Sequence, residues 1–192
     1  MAACMHRRPR NRRTGTVHPS GPRSADKGRR NGTDYRFSES AGYIEGDRGR
    51  SFPKRYAWTQ CFFEDGSLML SAAEIPLGPA RFTGVIGVIH ISGREYRLAT
   101  YLGAKVVKCS GGELVIRQGS LRLTAALLEE EGCLLRAPEN GAMTRLVREN
   151  VACRARYELT QNGRRLFVLE AARAAFEYEF DGAPPSHSAA EQ

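Results

Sequence analysis

The chain has no long hydrophobic run. Its longest, Val85 to Ile91, is broken by Gly87 and His90, far short of the roughly 18 to 20 apolar residues of a membrane-spanning helix. No integral membrane segment is therefore expected. Paired cysteines are also missing. The five present (Cys4, Cys61, Cys109, Cys133 and Cys153) are scattered and odd in number, which excludes a disulfide framework and fits free thiols in a reducing, cytoplasmic compartment. Beyond residue 20 no two Cys or His residues are close enough in sequence to form a ligand pair, so no metal is expected. Gly84 and Gly87 follow no G-x-G-x-x-G spacing and precede no Lys-Ser or Lys-Thr. They supply no phosphate-binding loop and read as bends or bulges in a strand. His90 stands alone between residues 41 and 180 and anchors no visible Ser-His-Asp arrangement.

The first forty residues are poor in acid and in apolar side chains. They hold ten Arg or Lys against three Asp or Glu, while residues 41 to 180 hold nineteen against sixteen. Arg7, Arg8, Arg10, Arg12 and Arg13 are followed by Pro, Gly, Ser and His rather than an apolar stretch, so no secretory signal is legible. Repeated Pro and Gly would also break the amphipathic helix of a transit peptide. Residues 1–40 are read as a disordered Arg-rich tail, 41–180 as one domain of about 140 residues, and 181–192 as a second disordered tail. Electrostatic contact of the Arg run with nucleic acid or an anionic lipid is the weaker reading, because no aromatics interleave with it for stacking and no binding fold follows it.

From Tyr56 onward short apolar or alternating runs are separated by turn formers, the pattern of consecutive strands. The predicted strands are Tyr56 to Phe63, Leu68 to Ile75, Phe82 to Ile91, Glu95 to Tyr101, Lys105 to Cys109, Glu113 to Arg117 and Leu121 to Leu128. They continue with Cys133 to Ala137, Thr144 to Arg148, Ala152 to Leu159, Arg165 to Leu169 and Phe176 to Phe180. Asp65-Gly66, Ser92-Gly93, Gly111-Gly112, Gln118-Gly119 and Asn162-Gly163 each offer a residue that tolerates positive φ, as tight hairpins require. Helix formers at Leu127 to Glu131 and Val168 to Ala175 allow a short helix at either place. About ten antiparallel strands must dispose of their edges, and the fold class expected is an all-β antiparallel barrel. Its interior would take side chains or one small apolar ligand.

Two segments carry candidate chemistry. Gly42 to Pro53 sets Glu45 and Asp47 two residues apart among glycines and ends in a Phe52-Pro53 step. A carboxyl kept protonated by an apolar pocket or a like-charged neighbour can act as a general acid; the alternative is a solvated loop with both carboxylates paired to Arg48 or Arg50. Next, Tyr56, Trp58 and Gln60 share one strand face, and Ala57, Thr59 and Cys61 the other. Trp58 is the only tryptophan. An aromatic with an amide neighbour suits a ring with a polar end, although a tryptophan in a core is the commoner case.

These residues resemble the tocopherol cyclase family. The resemblance rests on Gly42-Tyr43-Ile44-Glu45-x-Asp47-x-Gly49-x-Ser51-Phe52-Pro53, Trp58-x-Gln60, Ser67-Leu68-Met69-Leu70-Ser71 and Ile75-Pro76. Phe82-Thr83-Gly84, Glu95 to Tyr101, Leu135 to Pro138 and Gly141-x-Met143 continue it. It implies a lipocalin-like, calycin-type barrel of a vitamin E biosynthesis family that closes a chromanol ring on a prenylated quinol. In that isomerase-type reaction an acid protonates the prenyl double bond and the phenol oxygen adds to the resulting cation, with no cofactor. For that chemistry, residue type and position assign the acid to Asp47 or Glu45, the wall to Phe52, Tyr56 and Trp58, and quinol orientation to Gln60 and Arg97. The chain departs from the family at Arg48, where Trp is common, and at Cys61-Phe62-Phe63. It matches only the C-terminal half of full-length members, which leaves room for a dimer or a partner half-domain. The alternative is a noncatalytic lipocalin-like binder of a prenylated or other apolar small molecule.

Overall fold

A computed structural model describes residues 26–37, 50–129 and 132–180. The chain divides into two units, Met1–Arg48 and Gly49–Gln192. In the first, β1 (Asp26–Arg30) and β2 (Thr33–Phe37) form an antiparallel hairpin. This stretch falls inside the tail expected to be disordered. The signal overlooked was Asn31-Gly32: both residues have positive φ, 51° and 79°, the geometry of the tightest hairpin turn. The remainder of the expected tails, 1–25, 38–40 and 181–192, lies outside the described residues.

The second unit contains β3 (Tyr56–Phe63), β4 (Gly66–Leu77), β5 (Ala80–Ile91), β6 (Arg94–Ala99), a 3₁₀ turn at Thr100–Leu102, β7 (Lys105–Ser110), β8 (Glu113–Gln118), β9 (Leu121–Leu127), β10 (Cys133–Glu139), β11 (Ala142–Gln161) and β12 (Arg164–Tyr178). All ten strands belong to one antiparallel sheet, ordered β6-β5-β4-β3-β12-β11-β9-β8-β7, with β10 paired to β11. Thr144 to Arg148 and Ala152 to Leu159, expected as two strands, are one twenty-residue strand. Register shifts between Asn150 and Ala155 interrupt its ladder, so its first half pairs with β10 and its second with β9. The helix considered at Val168 to Ala175 is absent. Ala171 and Ala174 are buried on β12, where small side chains leave room for Tyr157 and Phe176, and packing overrides helix propensity. At the other helix candidate, β9 ends at Leu127, Leu128 and Glu129 are irregular, and residues 130 and 131 are outside the described set.

The expected closed barrel is corrected to an open ladder, and strand arithmetic gives the reason. Nine strands in alternating directions leave the two edge strands, β6 and β7, running the same way. Parallel pairing needs a crossover of roughly a dozen residues, but only Thr100 to Ala104 separate β6 from β7. The chain can pass from one edge to the other; it cannot zip them. A side chain spans the seam instead. Gln118, at the end of β8, accepts from Ala99 N (2.9 Å) and donates to Arg97 O (3.0 Å), so its carboxamide supplies β6 with one peptide's worth of pairing. Thr100 adds a clasp to β5, accepting from Val85 N at 2.6 Å.

One hydrophobic cluster draws on strands from both ends of this sheet, including Leu68, Leu70, Ile89, Leu98, Leu114, Ile116, Leu123, Tyr157, Leu159 and Phe176. Within it lies a polar knot. Thr59 Oγ1 donates to Ala175 O (2.9 Å) and therefore accepts from the Tyr157 hydroxyl (2.5 Å). Burial pushes the Cys61 thiol up to about 12, and raises Tyr157 well above the ordinary tyrosine range. Cys153 pairs with Ala174 on β12 and Cys61 lies on β3, the strand on the other side of β12, which puts their backbones at least two strand spacings, roughly 10 Å, apart. That exceeds disulfide reach, and both thiols are free.

Two glycine readings also change. Gly84 and Gly87 mark no bulge, because β4 and β5 pair without a register shift; a Cβ at these positions would meet Ile75 Cδ1 and Leu70 Cδ1. Gly66 is not a positive-φ turn residue. It lies in β4, where a Cβ would sit 1.8 Å from His90 O.

Candidate functional site

The alternation of β3 decides where the candidate residues go. Ala57, Thr59 and Cys61 face the core, small enough to pack beside Phe176 and Tyr157. Tyr56, Trp58 and Gln60 consequently point to the outer face, not to the interior where an aromatic wall was expected. A tryptophan at an inward position would displace the Tyr157 knot.

Phe52 and Tyr56 are brought together, with rings edge to face at 5.9 Å. The strap Arg50–Lys54 holds them, stitched to the β10–β11 hairpin. Gly141 N donates to Arg50 O (2.7 Å), Asn140 N to Ser51 Oγ (2.8 Å) and Phe52 N to Pro138 O (3.1 Å). Arg145 donates to Pro53 O and Lys54 O, packs over the Tyr56 ring at 5.8 Å, and pairs with Glu179 at 3.3 Å. The Tyr56 hydroxyl donates to Glu177 Oε2 at 2.9 Å. Burial, then the nearby Glu177 carboxylate, raise the Tyr56 pKa far above its usual value. Tyr56 is thus a locked donor to Glu177. Glu177 and Glu179 were visible in the sequence only as the polar face of the last strand. Both are committed to partners, Glu177 to Tyr56 and Glu179 to Arg145.

Trp58 and Gln60 continue the same face. Across the ladder Trp58 lies between Glu177 and Ser71, with Ile86 beyond; Gln60 lies between Ala175 and Met69, followed by Val88 and Arg97. Gln60 Nε2 is buried with no hydrogen-bond partner among the described residues. Such an amide donor costs about 1–3 kcal/mol unless an acceptor meets it. Arg97 shares the row but stands three strand spacings, roughly 14 Å, from Gln60. Its guanidinium is held by Glu95 at 2.8 Å, so it is not brought together with the others. Glu45 and Asp47 lie outside the described residues. His90 belongs to the fold, facing Glu95 across the β5–β6 ladder at 3.6 Å.

Among the described residues no group of three or more His, Cys, Asp or Glu comes together to hold a metal ion, and no helix is long and apolar enough to cross a membrane. The outer face carries Trp58, aliphatic neighbours and the buried Gln60 Nε2, an amide donor without a partner among the described residues and the kind of group that an oxygen acceptor satisfies. Comparison of the chain with protein-family models, curated proteins and solved structures returns no match.

Proposed function

We propose that this is a tocopherol cyclase-like protein, taking a prenylated quinol against the outer face of β3 and closing it to a chromanol. The observation that carries the reading is the buried Gln60 Nε2 beside Trp58, a donor that a quinol oxygen would satisfy. Glu45 or Asp47 supplies the proton to the prenyl double bond. The tertiary cation is stabilised by the faces of Trp58 and Phe52. The phenol oxygen adds to the cation, and its proton returns to the carboxylate. No atom is gained or lost, and the reaction needs no oxidant.

The test is anaerobic incubation with a prenylated benzoquinol under reducing conditions, followed by mass and chromatography. An isomer of unchanged mass, formed by the wild type and lost in the Glu45→Gln/Asp47→Asn double variant, supports the reading. Full turnover by that variant refutes the acid assignment. One observation favours a second reading, a noncatalytic binder of the same ligand: the described carboxylates nearest the aromatic group, Glu177 and Glu179, are engaged by Tyr56 and Arg145. Saturable binding without conversion supports that alternative.

A further inference from the structure

The β4–β5 hairpin runs past its neighbours. β3 reaches only Ala73 in the register, with one further bond from Glu74 N to Arg55 O (2.9 Å), and β6 only Ile86, so from Ile75 to Thr83 the two strands pair with each other alone. The turn projects about 13 Å beyond Glu74. Ile75 to Phe82 are eight consecutive exposed residues. They comprise Ile, Pro, Leu, Gly, Pro, Ala, Arg and Phe, a single charge among apolar side chains. Leu77, next to the apex, is 66% exposed. Ile75 and Phe82 face each other across the ladder, and Ile75 folds toward Gly84, whose missing Cβ makes room.

The base of this projection is fixed and basic. Glu74 is held between Arg55 (3.0 Å) and Arg81 (3.6 Å), leaving one positive charge in surplus. Thr100 clasps Val85 and so sets the turn carrying the exposed Tyr101 and Leu102 beside β5. Lys105 follows, opposite Arg117, which in turn lies opposite Arg122. Like charges directly across a ladder repel, and an anionic surface would relieve them.

We propose that the Glu74–Thr83 hairpin is a membrane-interface anchor, burying Leu77, Phe82 and Ile75 shallowly in an anionic lipid surface while Arg81 and Arg55 stay at headgroup level. Depth is limited by the hairpin's two free edges, whose backbone groups tolerate no hydrocarbon. Pro76 and Pro79 lack an N–H, which lowers that cost at the apex. The geometry suits insertion to the headgroup–acyl boundary, as for interfacial segments. This inference is independent of the ligand assigned above, and its test uses no quinol.

The test is co-sedimentation of the full chain with phosphatidylglycerol–phosphatidylcholine vesicles, compared with phosphatidylcholine alone. The wild type should bind the anionic vesicles, and Leu77→Glu/Phe82→Glu should weaken binding roughly tenfold or more with an unchanged circular dichroism spectrum. Leu77→Ser, a milder apex change, should weaken it in the same direction. Wild-type binding retained in both variants would place the contact on basic residues elsewhere and overturn the proposal, as would no binding at all. Self-association abolished by the same substitutions, without vesicle binding, would assign the hairpin to a protein partner and equally overturn it.

Discussion

Replacing Gln118 with Ala removes a side chain that hydrogen-bonds across the seam between the two ends of the sheet. The variant loses the bonds to Ala99 N and Arg97 O, each worth about 1 kcal/mol net. Arg97 O can turn to water, since the Gln118–Arg97 bond is exposed. Ala99 N–H cannot do so readily, because Ala99 is fully buried, and an orphaned buried donor adds about 1–3 kcal/mol. Freeing the glutamine side chain returns roughly 1–2 kcal/mol of entropy. The balance is a loss of about 2 kcal/mol, which for a chain of this size lowers Tm by about 4–8 °C. Thermal unfolding by calorimetry reads the first quantity, and hydrogen exchange at the Ala99 amide reads its location. Gln118→Glu separates the two bonds: it keeps the acceptor for Ala99 N–H, so protection there should persist, but it loses the donor to Arg97 O. A Tm within a degree of wild type, with Ala99 still protected in Gln118→Ala, would refute the seam argument.

Other expectations follow from the buried polar groups. Cys61, Tyr56 and Tyr157 have folded pKa values raised above their unfolded values. Each therefore contributes stability that is complete below the unfolded pKa and lost as pH rises toward the folded one. Unfolding midpoints should fall from about pH 9 upward, by as much as about 1.4 kcal/mol per pH unit for each group in its window, and Tyr56→Phe should flatten the slope above pH 10. Tyr157→Phe leaves Thr59 without its incoming hydrogen bond and should cost about 1–2 kcal/mol by urea titration, with a native-like spectrum. At pH 8 iodoacetamide should modify the exposed Cys133 while Cys61 and Cys153 react only on unfolding, as peptide mass mapping would show. Gly66→Ala drives a methyl into His90 O, a clash that unfolding titrations should register as about 2–3 kcal/mol.

Much of the fold was legible because hairpins are local. Ser92-Gly93 and Asn162-Gly163 have positive φ at both residues, and β3 runs from Tyr56 to Phe63 as its alternation predicts. Long-range consequences were not legible. The parity of nine strands, which keeps β6 and β7 from pairing, emerges only after β12 is known to lie beside β3. The same adjacency turns Trp58 and Gln60 outward, since the core side of β3 is filled by residues about a hundred positions later, Tyr157 and Phe176. Alternation alone divides a strand into two faces without saying which is inside. Glu177 shows the same limit: its bond to Tyr56 spans 121 residues, and no local pattern announces it.

The central claim is that the outer face at Trp58 and Gln60 holds a prenylated quinol, and because Trp58 is the only tryptophan its fluorescence reports on that face directly. Titration with a prenylated benzoquinol under anaerobic conditions should quench Trp58 saturably, and Gln60→Leu, which removes the unpartnered donor, should weaken the apparent affinity roughly tenfold while raising stability or leaving it unchanged. An absence of saturable quenching, or binding indifferent to Gln60, would contradict the account.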